Sequence, residues 1–554
     1  MAGARGRVSL GEDPVVLALV ALAPIALFVL LFALLPVGLL FGRGLAAGGG
    51  FGGLLATVGG ASNNRDALVN SLGQGALSAA IALALGYPAG IFLGRFEFPG
   101  RAWIRALLLL PFLLPTVVVA VGILDLFGPA GLLSGGGSPL GWFGAGVPAI
   151  VAANLVFNVP IVALFTALGC ESASPTLEET AATLGAGPAR RYRDVWAGPS
   201  LVGAAIGGIL TFAFSALAFA APILLCGPRC YTLEAQVYAL NNVYLDPTAA
   251  SLLALAAMLL LLLPIALYLA FQARLRRGGT TGRRPAIPLR GAGWPAALLA
   301  AETTAVFAGV FAVVAAVLYR TVLPAGGGPF GAPWSALFGA PAETTLGLPI
   351  GAVVLNTLGL ALLAATIALV LVLLALVGLR SRPAWAATVG GYLFLPLLIS
   401  PVLLAFSLAE FWRPLFGGEP TVWIVIGIAQ ATLALPFALQ SLAVPLAGLS
   451  RDASEAVRAL GATRWTAFWD ADAPRLGAGL VTAALFAFAL GLGEFTATYF
   501  LWVPSYTTLS VATYELEHAR YSSASAGAAG LLALLSIAVF LGILAVGRGR
   551  ARAL

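Results

Sequence analysis

Long apolar runs recur along the 554 residues and leave little chain between them. The hydrocarbon core of a bilayer is crossed by roughly 20 apolar residues in a helix. Twelve runs meet that length, at about 15–41, 66–94, 103–127, 146–169, 201–226, 248–273, 296–319, 351–379, 385–411, 422–446, 477–502 and 523–546. Only 9% of residues are charged while 60% are hydrophobic; a soluble domain has roughly a quarter of its residues charged. The expected fold class is an all-α polytopic membrane protein of about 12 transmembrane helices. The 67 glycines and 35 prolines fit this class, because neighbouring helices in a membrane re-satisfy the backbone groups that such residues free. Arg5 and Arg7 precede a first run longer than the apolar core of a cleavable signal, so it reads as a span.

The charge of +7 comes from arginine alone, since the chain has no lysine. The arginines fall in short loops, where they act as topology signals and do not suggest nucleic acid as a partner. With the N-terminus inside, 23 of the 29 lie in inward-facing segments and six outside. The positive-inside rule then puts both termini in the cytoplasm. A phosphate-binding loop of the GxxxxGK[ST] type needs a lysine and is therefore excluded. One histidine, His518, and three cysteines exclude most His/Cys metal sites, and no cofactor is expected. Cys226 and Cys230 fall in a predicted external loop. They read either as a local disulfide or as two incidental small residues near a helix end.

The two ends of the chain resemble each other. Asn70-Ser71-Leu72 opens the second span and Asn356-Thr357-Leu358 the eighth. Pro111 and Pro115 break the third; Pro396 and Pro401 break the ninth. Asn154 to Pro160 matches Gln430 to Pro436. The expected organisation is a first six-span half at 1–273, a flexible Arg/Gly/Pro-rich cytoplasmic linker at 274–293, and a second half at 294–554. Each half has an even number of spans, so the repeat is parallel.

Two polar islands interrupt the apolar sequence, Glu178 to Ala186 and Ser454 to Ala462. In the first, Ser174 is placed to cap a helix begun by Pro175. Glu178 and Glu179 lie in its first turns, and Gly185 is suited to the left-handed turn that ends a helix. Arg190, Arg191, Arg193 and Trp196 come next, then Pro199. The second island repeats the plan with Ser454 near a start, Glu455, Gly461, Arg464, Trp465, Trp469 and Pro474. Arginine topology puts both islands on the cytoplasmic side. A solvated loop explains one such island, but not two with the same Glu-to-Gly spacing and small residues beside the glycine, which let another protein approach closely.

Glu-Ala-Ala-x-x-x-Gly, with a hydrophobic residue and a proline further on, resembles the EAA loop of ABC-importer permeases. The second copy keeps the family spacing from Glu455, Ala456 and Val457 through Gly461 to Pro474. The first has Glu179, Thr180, Ala181 and Gly185, with one extra residue before Pro199, and is expected to differ in shape. Gly227-Pro228-Arg229-x-x-Thr232-Leu233-Glu234 to Tyr238 resembles the fused, two-half permeases for ferric iron or thiamine. The resemblance implies two tandem six-helix halves, coupling loops docked on two separate ATPase subunits, a binding protein outside that delivers substrate, and ATP hydrolysis on another chain. It also implies residence in the cell inner membrane.

A charge within a span is a functional candidate. Glu494 is the strongest, with its counterpart in the first half at about Phe219, and an acid there would suit a cationic substrate. Asp125 and Glu410 lie near external span ends, Asn70 and Asn356 are expected to bond helix to helix, and His518 is expected in an external loop. A membrane enzyme would need a catalytic cluster that the chain lacks. An ion-coupled secondary transporter, the alternative, would need several ionisable residues within spans and gives no reason for duplicated Glu–Gly loops.

Overall fold

The computed structural model describes residues 14–134, 138–277, 287–289, 293–324, 327–381, 385, 392, 395–416, 418, 421–442, 449 and 451–553. Ten described helices are long and apolar enough to cross a membrane, and one bent pair adds an eleventh crossing if counted as a span. In chain order they begin with α1 (Val15–Ala47) and α2 (Ser62–Arg95), then the bent pair α3 (Arg101–Leu113) and α4 (Thr116–Phe127), then α5 (Gly146–Ser172). A short helix α6 (Pro175–Thr183) leads to α7 (Ala189–Ala216). After it come α8 (Ala220–Leu225), α9 (Leu233–Tyr238), α10 (Pro247–Arg274) and α11 (Trp294–Arg320). The rest are α12 (Ile350–Arg380), α13 (Pro401–Phe411), α14 (Val422–Ser441), α15 (Arg451–Ala459), α16 (Trp465–Gly493), α17 (Thr496–Leu501), α18 (Leu509–His518) and α19 (Ser522–Val546).

Twelve continuous spans were expected, and the differences have local causes. The third is bent by 99° between α3 and α4, beside Leu114 and Pro115, because proline removes a donor and fixes φ. The fifth and eleventh stop early, at Ala216 and Gly493, and resume after a break as α8 and α17. The first part of the ninth run, through residue 394, and the end of the tenth, 443–446, lie almost wholly outside the described residues.

The chain packs as two compact units. One holds residues up to Gly42, Gly347–Val511 and those from Leu535 onward; the other holds Arg43–Leu346 and Ala512–Leu534. In the latter, α2, α5 and α7 form the central trio. Gly86, Gly90 and Gly94 recur one turn apart on α2. A Cβ at each would overlap Val162, Thr166 or Cys170 of α5, so the bare glycines let the backbones close up. Helices α4 and α11 pack beside this trio. In the other unit α12, α14 and α16 repeat the arrangement, with α1 laid along α12.

Helix α1 shows how a membrane chain settles a missing hydrogen bond. Pro36 has no N–H to give. Leu35 donates to the Leu30 carbonyl within a π-helical turn, Leu30–Leu34. The Leu31 carbonyl instead accepts from Trp412 Nε1 at 3.0 Å. An unsatisfied carbonyl in hydrocarbon costs several kcal/mol.

Among the described linker residues, Arg274–Arg277 continue the preceding helix and 287–289 meet the end of α2. Ile287–Pro288 (β2) pairs in parallel with Phe96–Glu97 (β1), and Leu289 N donates to the Glu97 carbonyl at 3.0 Å. The flexible stretch expected at 274–293 thus includes a docked segment. Its neighbours 278–286 and 290–292 lie outside the described residues.

Candidate functional site

The two islands fold alike at a constant offset of 276 positions. Pro175 and Thr183 bound α6, and their counterparts Arg451 and Ala459 bound α15. At the first, Ser174 accepts from the Leu177 N–H, as its position predicts. At the second the helix begins at Arg451, so Ser454 lies within it and not at its start.

Both helices end in the same motif. Gly185 and Gly461 take φ of 75° and 96°. Gly185 N donates to the Ala182 carbonyl at 3.0 Å and Ala186 N to the Ala181 carbonyl at 2.9 Å. Gly461 N donates to Arg458 O at 2.9 Å and Ala462 N to Val457 O at 3.4 Å. This pair of bonds satisfies carbonyls that a helix end leaves open.

Each island continues into a π-helical turn, Tyr192–Trp196 and Phe468–Asp472, again 276 positions apart. The turns lie within α7 and α16, near their starts. The extra residue before Pro199 therefore does not give the first loop a different shape, contrary to expectation. It moves the proline one place along α7, where a Cβ on Gly169 of α5 would overlap the Pro199 carbonyl. Pro474 sits one place earlier on α16 and is exposed.

The site residues divide by direction. Glu179 and Gly185 are exposed, as are Glu455, Ala456 and Gly461. Ala181 is half-buried against Ala173, Val195 and Trp196, with Ile287 packed on the same cluster. Two leucines that sequence reading passed over stand out: Leu184 is 82% exposed and Leu460 89%. The available signal was an apolar residue just before the glycine in both polar islands. Also missed was the meeting of Arg95, at the end of α2, with Glu178 and Trp196 of the first island. Arg95 Nη2 lies 2.6 Å from Glu178 Oε1, and its guanidinium stacks 3.7 Å from the centre of the Trp196 ring. In the second copy Arg380 forks onto Asp472, with bonds of 2.9 and 3.2 Å.

Glu494 is not an isolated charge. It sits at the break between α16 and α17. One carboxylate oxygen accepts from the Ala497 N–H at 2.8 Å; the other accepts from the Thr498 N–H at 2.8 Å and its hydroxyl at 2.7 Å. Gln430 Nε2 in turn donates to that hydroxyl at 3.0 Å. At the 276 offset its counterpart is Ala218, one residue before the expected Phe219. The carbonyls agree: Thr232 Oγ1 donates to Ala218 O at 2.6 Å, and Ser510 Oγ to Glu494 O at 3.2 Å.

The remaining candidates have varied settings. Asn70 and Asn356 bond to loop carbonyls and not to a neighbouring helix. Asp125 lies 4.0 Å from Arg320, and Glu410 is exposed. His518 ends α18, stacked on Tyr514, and is not a loop residue. Cys226 and Cys230 are joined by a disulfide. No cluster of metal-ligating side chains occurs among the described residues.

Residues 86–277 match the family of binding-protein-dependent transport system inner membrane components. That range contains the first island and the disulfide loop. A molybdenum transport system permease protein of Mycobacterium bovis is 32% identical over 200 residues, which is 35% of this chain and 74% of that protein. A sulfate transport system permease protein of Escherichia coli is 32% identical over 157 residues, 26% of this chain and 56% of that protein, so the chain spans little more than half the length of that relative. A thiamine transport system permease protein of Brucella suis is 30% identical over 178 residues, 30% of this chain and 32% of that protein. With its all-helical membrane fold, this protein belongs to the inner-membrane permeases of binding-protein-dependent ABC importers.

Proposed function

We propose that this chain supplies both halves of the translocation pathway of an importer, and that its two loops are the points at which two copies of a separate ATPase drive it. Both termini and both loops would then lie in the cytoplasm, as the arginine distribution asks. A binding protein would hand substrate to the opposite face.

The paired exposure of Leu184 and Leu460 carries this reading. Burying a leucine side chain is worth about 1.5–3 kcal/mol, yet two copies of one turn hold it out at 82% and 89% exposure. A partner with an apolar cleft explains both. Glu179, Ala181, Gly185 and Pro199, with Glu455, Ala456, Gly461 and Pro474, form or support that contact. Hydrolysis on the partner would move the loops and alternate the access of the pathway.

The substrate favoured is thiamine. The thiamine permease match covers nearly equal shares of both proteins, 30% and 32%, so the two have similar lengths. The molybdenum permease is matched over 74% of its length by a third of this chain and has the size of a single half. Glu494 gives no support to a cation as such, since its carboxylate is taken up by backbone donors. Its part is to shape a broken span, where irregular backbone in a membrane lines a cavity or is packed in protein.

The test is co-purification with the ATPase, together with substrate-stimulated hydrolysis, for Leu184→Glu and Leu460→Glu. Each is expected to weaken ATPase binding, and the pair to abolish it. Full binding and full coupling in the double variant would refute the assignment. Calorimetry of the partner binding protein with thiamine, ferric iron, molybdate and sulfate decides the substrate, and tight binding of any but thiamine overturns that choice.

A further inference from the structure

We infer that Arg95 is a positioning residue that ties the first loop to the second span, through an ion pair with Glu178, whose place in the second island is taken by a serine. The inference rests on the loops being the coupling points. Arg95 is the last residue of α2, and 2% of its side chain is exposed. A guanidinium that deep needs partners. It has Glu178 of α6 at 2.6 Å and the face of Trp196 at 3.7 Å. The next two residues of the chain fix its position further, because Phe96–Glu97 pairs with linker residues Ile287–Pro288. Ile287 packs on the cluster that holds Trp196 and Ala181. The end of α2, the loop helix and the π turn therefore meet at one side chain, with the linker packed on the Trp196 cluster beside it.

The adjacent acids of the loop divide their work. Glu178 turns inward to Arg95 with 17% of its side chain exposed, while Glu179 faces outward. The second copy differs where it matters. Position 454, the counterpart of Glu178, is a serine, and Asp472 stands where the first copy has Trp196. Arg380 grips that aspartate, in the π turn near the start of α16. A pull on α6 is thus passed directly to α2.

A double-mutant cycle on the assembled transporter in proteoliposomes tests this. Arg95→Gln, Glu178→Gln and the double variant are compared for substrate imported per ATP hydrolysed, with ATPase co-purification as control. Each single change is expected to keep the ATPase bound and to lower the ratio by roughly two- to thirty-fold, and the double change to be no worse than the worse single. An unchanged ratio, or effects that multiply in the double variant, overturns the pairing. If Arg95→Gln fails to assemble, Glu178→Gln and Glu178→Asp decide, with Asp expected to restore the ratio and a failure to restore it counting against the pair. The outcome is separable from the fate of the loop assignment, which the leucine variants judge by binding alone.

Discussion

Asn70 and Asn356 make the same two hydrogen bonds in their own halves of the chain. Asn70 Nδ2 donates to the carbonyls of Arg229 and Tyr231, and Asn356 Nδ2 to those of Ser505 and Thr507, all at 3.2 Å. The next residue joins in: Ser71 Oγ accepts from Leu233 N at 2.9 Å, and Thr357 Oγ1 from Leu509 N at 2.8 Å. The likeness thus extends beyond the helices to the clamp that holds the loop after each broken span, onto α2 in one case and α12 in the other.

Removing the clamp should loosen that loop. A neutral hydrogen bond contributes about 0.5–1.5 kcal/mol net, and each asparagine makes two. Asn70→Ala and Asn356→Ala are each expected to cost about 1–2 kcal/mol, read as a lower unfolding midpoint in detergent. Hydrogen exchange should rise at residues 228–233 in the first variant and at 504–509 in the second. Protection unchanged at both loops would show that the bonds hold nothing in place.

The glycines of the two loops should respond to backbone strain and not to crowding. A Cβ added at Gly185 or Gly461 meets nothing within 4 Å, but either would be forced into the left-handed region, at about 1–2 kcal/mol for an L-residue. Gly185→Ala and Gly461→Ala should therefore weaken ATPase binding to similar extents. Asparagine, which tolerates that region better, should be the milder replacement at both sites. Alanine binding as well as glycine would mean the turn is not needed in the docked state.

The legible and illegible parts of this chain divide by sequence distance. Ser174, Pro175 and Gly185 act on their immediate neighbours, so cap, start and stop could be read off, and the apolar runs placed most spans. The stacking of Arg95 on Trp196 and its pairing with Glu178 join positions 83 and more apart, and no local pattern marks them. The Trp412 bond to Leu31 crosses 381 positions. The break after Ala216 was hidden because the residues beyond it, Leu217 to Leu225, are as apolar as a span. Glu494 was conspicuous for its charge, but its role depends on N–H groups that exist only once the helix has broken.

Glu494 should behave as a helix cap. Its oxygens accept from Ala497 and Thr498 at the start of α17, and hydrogen bonds to a charged group are worth about 1.5–3 kcal/mol. Glu494→Ala is expected to lower stability by about 2 kcal/mol, and Glu494→Gln, which keeps an acceptor, by less. Transport by the glutamine variant should retain its substrate preference. A switch in preference between cationic and anionic substrates would instead make this carboxylate a recognition group.

The disulfide should stabilise the loop that Asn70 clamps. Cys226 and Cys230 are four positions apart, and closing so short a loop removes little entropy from the unfolded chain, worth about 2 kcal/mol by the loop-length relation. In the second half Trp502 stands at the place of Cys226, and its Nε1 donates to Thr507 Oγ1 at 3.0 Å, so a hydrogen bond serves where the first half has a covalent one. Reductant should lower the unfolding midpoint of the wild type and leave Cys226→Ser/Cys230→Ser unmoved. A maleimide should label these two thiols only after reduction, with Cys170 still protected by burial in α5. Labelling of both before reduction, in protein taken directly from oxidising conditions, would show that the bond does not form.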